Sequence, residues 1–179
     1  MGKKAKAAIQ GELITGEASD SASVIGRKSL SLSELTASVP VKDKARLMQR
    51  IRHWTREGAL LPSEFAHAGR GKHREYGPEA SYCVMTLHCM IVAGLPIAPS
   101  QFLTDAMDVV RSKASKWLTA REKGQTLTLP AMMIEVTSEG DTRVSEGKVK
   151  VGRDTVLKIE IDLAKIFTEV DLYKPNTAA

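Results

Sequence analysis

The sequence predicts an α+β chain: two short helices, a basic hairpin, a buried helix, a long helix, then a small antiparallel β-meander. Two observations lead there. Between Lys42 and Tyr76, nine Lys/Arg stand against four Asp/Glu, a local charge of +5 that equals the charge of all 179 residues. Everything outside this stretch therefore sums to zero, and one concentrated basic surface is the footprint of a polyanion-binding site. The second observation is a change of period. Apolar residues follow a helical three-four spacing as far as Glu122, and beyond Gly124 they tend to alternate.

Residues 1–29 are rich in Ala, Gly and Ser with few apolar positions, and read as a flexible arm. Order is expected to begin at Ser31-Leu32-Ser33-Glu34, a capping-box spacing. The helix it opens ends near Pro40, with Leu32, Leu35 and Val39 inward. A second helix is predicted over about 42–57, with Gly58 as its stop. At about 100° per residue, Leu47, Ile51 and Trp54 fall on one side. Lys42, Ala45, Arg46, Gln49, His53 and Arg56 fall on the other, flanked by Arg50 and Arg52. Carboxylates are nearly absent from that face, so the usual lacing by ion pairs is missing. Gln49 sits centrally among the cations, and Gln can read adenine by a bidentate pair as Arg reads guanine.

Leu60-Leu61-Pro62 reads as a short extended piece and 72–76 as a second short strand. Together they make a hairpin whose tip, Ala68-Gly69-Arg70-Gly71, and second strand are basic. Arg70, Lys72 and Arg74 in this basic wing, 66–76, suit a phosphate backbone, which needs only cations and amides.

Gly77-Pro78-Glu79 opens a helix that is apolar on much of its surface, from Tyr82 to Val92, and Gly94 ends it. Cys83, His88 and Cys89 lie on it without converging, so packing rather than metal binding is expected. Two cysteines six residues apart on a helix face different ways, and a reduced compartment is expected. Pro99-Ser100 caps a long helix, about 101–122, whose Leu103, Ala106/Met107, Val110, Ala114 and Trp117/Leu118 form a stripe. That stripe suits either its own domain or a partner copy.

After Gly124, residues 126–136, 143–151 and 155–163 are strand-like, Lys158-Ile159-Glu160-Ile161-Asp162 alternates cleanly, and a strand or short helix follows around 166–170. Residues 174–179 are expected to fray. No apolar run approaches the roughly 20 residues that span a bilayer, and Lys3, Lys4 and Lys6 precede no apolar segment. A cytoplasmic, nucleoid-associated protein is expected, with no membrane partner.

The order helix, turn, helix, basic hairpin, helix resembles the winged helix-turn-helix domain of the MerR family of bacterial transcription regulators. The family's Arg-Tyr-Tyr/Trp-Glu-Arg-x-Gly-Leu-Leu signature is echoed by Arg52-His53-Trp54-Thr55-Arg56-Glu57-Gly58-Ala59-Leu60. Its wing ending, Gly-x-Arg-x-Tyr, is echoed by Gly71-Lys72-His73-Arg74-Glu75-Tyr76, and its next loop by Ala93-Gly94-Leu95-Pro96-Ile97. The resemblance spans about residues 30–105. It departs between Glu34 and Arg52, where this chain is longer, and at His53, where the family has an aromatic. Cysteines are absent near the long helix's following loop, so the family's metal or redox sensing is not carried over and no cofactor is expected.

The resemblance implies a winged-helix domain over 30–98, followed by what the residues themselves read as a connecting or dimerisation helix over 99–123 and a β-rich region over 124–173. It further implies a homodimer on a pseudo-palindrome of double-stranded DNA, with Arg52, His53 and Arg74 at family contact positions. Lys42, Arg46, Gln49, Arg50, Arg70 and Lys72 complete the candidate site from the helix face and hairpin. The leading expectation is a sequence-specific transcriptional regulator. The alternatives are an architectural or recombination directionality factor of a phage or mobile element, or an antiactivator-type protein that binds another regulator through its β region. Catalysis is not expected, because no Gly-rich phosphate loop, nucleophile elbow or carboxylate pair is recognisable.

Overall fold

The computed structural model describes residues 29–66, 73–95, 101–147 and 153–173. Mixed α and β structure shares one apolar core that runs from Leu35 near the start to Val170 near the end. The arm over 1–28, the hairpin tip over 67–72, the Pro99-Ser100 cap and the tail over 174–179 lie outside the described residues.

Helix α1 (Leu32–Ser38) opens with the expected capping box: Ser31 Oγ accepts from the Glu34 amide at 3.3 Å, and Glu34 Oε2 accepts from the Ser31 amide at 2.8 Å. Helix α2 (Lys44–Arg56) starts at Asp43, whose carboxylate accepts the Arg46 amide at 2.9 Å, and stops at Gly58, which holds φ +79°. A side chain at that φ is strained, so glycine suits the stop. Between the helices, Lys44 Nζ donates to the carbonyls of Thr36 (3.2 Å), Ala37 (3.3 Å) and Val39, and lies 4.7 Å from the Tyr173 ring centroid. Those carbonyls lie where α1 ends, and a cation there meets their shared negative charge.

The hairpin pairs β1 (Glu64–Ala66) with β2 (His73–Glu75), Phe65 opposite Arg74. Its first strand therefore begins beyond Pro62 and not at Leu60-Leu61-Pro62. Leu60 is buried against the core and returns its amide to the Trp54 carbonyl at 3.2 Å, which takes it out of any strand ladder. Leu30 exchanges both backbone hydrogen bonds with Tyr76, at 2.8 and 2.9 Å, so the chain entering α1 lies beside the hairpin.

Helix α3 (Ala80–Val92) is buried along Tyr82, Val84, Leu87 and Met90, but its last residue, Val92, is 73% exposed. Helix α4 (Gln101–Glu122) buries Leu103, Ala106, Met107, Val110 and Ala114 against the chain's own core. Of the two destinations for that stripe, its own domain is the one found.

Strands β3 (Met132–Thr137), β4 (Thr142–Glu146) and β5 (Thr155–Ile161) form an antiparallel sheet in the order β4-β3-β5. A meander would place β4 in the middle, so that expectation is corrected. The reason lies in burial: Met132, Met133, Ile134 and Glu135 are all buried on successive residues, which requires cover on both faces and suits a central strand. The first strand also starts at Met132, well after Thr126. The element around 166–170 is helix α5 (Leu163–Leu172), capped by Asp162, whose carboxylate accepts the Lys165 amide at 2.9 Å.

Helix α5 is fastened to the rest by Asp171. Its carboxylate accepts from Tyr82 Oη on α3 at 2.7 Å and from Trp117 Nε1 on α4 at 2.9 Å, and pairs with Arg121. Phe167 packs between the same two rings, 4.7 Å from Tyr82 and 5.9 Å from Trp117. Replacing Asp171 by Ala leaves two buried-side donors unanswered and is expected to cost roughly 2–4 kcal/mol, with little from the exposed Arg121. Urea denaturation checks this: the midpoint drops while the slope stays unchanged.

Candidate nucleic-acid interface

The α2 helix divides sharply. Leu47, Ile51 and Trp54 are 1%, 0% and 2% exposed, locking one side into the core. On the other side Arg46, Gln49, Arg52, His53 and Arg56 are exposed, with Ala45 among them, and Lys42 is exposed just before the helix. Among the described residues no carboxylate pairs with Lys42, Arg46 or Arg52. The two carboxylates nearest in sequence are engaged elsewhere. Asp43 caps the helix, and Glu57 sits at its far end, 3.0 Å from Arg56 Nε and 3.7 Å from His53 Nδ1. Arg56 also reaches His53 Nδ1 at 3.0 Å. The middle and beginning of the face are thus cationic and open, while its end is partly neutralised.

Arg74 projects exposed from β2. Its neighbour Glu75 accepts from Ser29 Oγ, which turns that carboxylate toward the entering chain. Arg70 and Lys72 lie outside the described residues. Thr55 Oγ1 meets Tyr76 Oη at 3.0 Å, joining the last turn of α2 to the end of the hairpin strand.

Arg50 differs from the other candidates. It is only partly exposed, and its Nη1 lies 3.3 Å from His88 Nδ1 on α3. Its guanidinium leans along the helix-helix seam and leaves the centre of the face to Arg46 and Gln49. His88 is held below its ordinary pKa, first by burial and then by the Arg50 charge, so the neutral ring accepts from Arg50. Lys44, in the same basic stretch, faces α1's carbonyls and Tyr173. At about 100° per residue both fall beside the Leu47-Ile51-Trp54 stripe, so their spacing allowed an inward place, but it could not name the partners, which lie on other elements.

The two cysteines are free. Burial pushes the Cys83 thiol up to about 12 and raises Cys89 as well, which favours the protonated thiol at both. Among the described residues no group of three His, Cys, Asp or Glu side chains is placed to hold a metal ion, and no helix is long and apolar enough to cross a membrane.

Compared with known proteins, the chain matches no family model and no curated sequence.

The lowered pKa of His88 has a thermodynamic consequence. The unfolded chain takes up a proton near 6.5 and the folded chain only below it, so folding stability falls as pH drops below about 6.5. His88→Asn is expected to remove that part of the decline. Chemical denaturation of both proteins across pH 5 to 8 reads the difference in slope, the window in which histidine titrates.

Proposed function

We propose that this chain is a sequence-specific double-stranded DNA-binding transcriptional regulator, with α2 as the helix that enters the major groove. The observation that carries the reading is the exposed row Lys42, Arg46, Gln49 and Arg52, whose cations have no carboxylate partner among the described residues. A solvated structural face would ordinarily be laced with acidic residues at i+3 or i+4. Here the row is left cationic, on a helix that the core holds rigid from behind.

Roles follow from chemistry. Arg46 and Arg52 have the fork geometry for guanine edges or phosphates, and Gln49 between them has the amide for adenine. Lys42 at the helix start and Arg74 on the hairpin flank the row and suit phosphates, and Arg70 and Lys72, close to Arg74 in sequence, are further candidates for the same role. Arg50, drawn toward His88, serves at the margin. His53 stands at the partly neutralised end. Two-fold pairing on an inverted repeat is the natural use of such a unit, since one helix reads only a few base pairs. Controlling transcription, in preference to catalysis, fits a chain in which no catalytic constellation is recognisable.

The test is binding of the full chain to fragmented genomic DNA, selected and sequenced, with affinity then followed against salt. A dominant operator is expected, with affinity falling steeply as salt rises. Arg46→Ala and Arg52→Ala should each flatten the salt slope by about 1 if they neutralise phosphates, or relax one base position by about 1–3 kcal/mol if they read bases. Gln49→Ala should relax specificity with the slope unchanged. If all three variants bind like the parent, or if no sequence is preferred, the reading is wrong.

A further inference from the structure

Both outer strands of the β4-β3-β5 sheet have β3 as their one strand partner among the described residues, and they differ in their surroundings. At the β4 side the strand packs on α4, and Lys113 pairs with Glu146. At the other side β5 has β3 as its one strand partner among the described residues. An unpaired strand edge is a template for another strand, and natural proteins usually blunt it. This edge carries Val156 at 66% and Leu157 at 48% exposure, with Lys158 and Glu160 also exposed.

The edge has a defined straight segment. Opposite β3 the register runs Leu157 to Val136, Lys158 to Glu135, Ile159 to Ile134, Glu160 to Met133 and Ile161 to Met132, and then shifts between Val136 and Thr137. Val156 is the extra residue at that shift and is left without a partner. At the other end Asp162 caps α5 and ends the strand. The regular stretch is therefore Leu157–Ile161, and its middle residue is Ile159.

We propose that β5 pairs antiparallel with β5 of a second copy of this chain about a two-fold axis at Ile159, joining two three-stranded sheets into one. The sequence of the segment is self-complementary in that register and in no neighbouring one. Antiparallel pairing centred on Ile159 sets Lys158 of one copy opposite Glu160 of the other, and the symmetry repeats the pair. Opposite charges directly across a strand pair are mutually stabilising. A slip of the register by two residues sets Lys158 against Lys158 or Glu160 against Glu160, which repels.

The other face of the edge agrees. Leu157, Ile159 and Ile161 alternate onto the core side, and the axis sets the exposed Leu157 of one copy opposite Ile161 of the other. Ile161 borders a recess of about 260 Å³ between β5, α5 and the end of α3, whose walls include Cys89, Met90, Ala93, Leu95 and Ile159. The apolar residue left exposed and the apolar recess left open thus lie on one edge, in positions that the same axis brings together. Isologous contact of this kind closes at two copies and uses up the β5 edge of both.

This interface deepens the dimeric form of the reading above, yet its test needs no DNA. Sedimentation equilibrium of the full chain is expected to show a reversible monomer–dimer equilibrium. Lys158→Glu and Glu160→Lys, each placing like charges opposite one another twice, should weaken it by about tenfold or more. The combined swap, Lys158→Glu with Glu160→Lys, restores both pairs and should restore the dimer. Both side chains are exposed, and circular dichroism checks that every variant is folded. A parent that stays monomeric, single variants that associate like the parent, or a combined swap as weak as the singles would each overturn the proposal. Failure here leaves the Arg46, Gln49 and Arg52 experiment untouched, and failure there leaves this interface standing.

Discussion

One carboxylate ties helix α5 to both α3 and α4. Asp171 gathers a phenol from α3, an indole N–H from α4 and a guanidinium from the last turn of α4. These donors come from residues 89, 54 and 50 positions away in sequence. Desolvation and the nearby Asp171 raise the Tyr82 hydroxyl well above its ordinary pKa, so it remains a donor at any physiological pH. Around this point Phe167 fills the space between the two rings. Position α5 there and β5, immediately before it, is placed; with β5 comes β3, and the sheet is set against α4.

The same logic of inward anchoring explains the basic surface. A helix can present cations without carboxylate partners only if something else keeps it folded, because like charges along one face destabilise it. In α2 that work falls to Leu47, Ile51 and Trp54 behind, to Asp43 at the start and to Gly58 at the end. Lys44 and Arg50, cations of the same stretch, turn away from that face: Lys44 neutralises α1's terminal carbonyls and Arg50 meets His88.

Local rules read most of the helices correctly. The Ser31 to Glu34 capping box, the Leu47-Ile51-Trp54 stripe, the Gly58 stop and the bounds of α4 all depend on residues within a few positions of one another. The β region was legible only as strands. Which strand lies in the middle depends on contacts between distant residues, and the burial of Met133 and Glu135 beside Met132 and Ile134 has no signature in alternation. Leu60 and Leu61 looked extended because their neighbours are apolar, while the hydrogen bond from Leu60 to Trp54 belongs to a turn that pattern alone does not reveal. In the candidate interface, exposure of Arg46, Gln49, Arg52 and Arg74 followed from periodicity. For Lys44 and Arg50 the spacing allowed a place beside the buried stripe but named no partner, since Tyr173 and His88 sit on other elements.

The contact between Lys44 and Tyr173 bears on how the chain is made. Synthesis proceeds from the N-terminus, and α1 and α2 emerge from the ribosome long before α5. Until Tyr173 appears, Lys44 lacks the ring beside it, and until Asp171 appears, Tyr82 and Trp117 have no acceptor. The ring of Trp117 therefore waits for Asp171 and Phe167 on α5 to complete its surroundings. Closing such distant contacts late is slow. A chain cut short of α5 would keep the Leu47, Ile51 and Trp54 backing of α2 but leave Tyr82 and Trp117 without their acceptor.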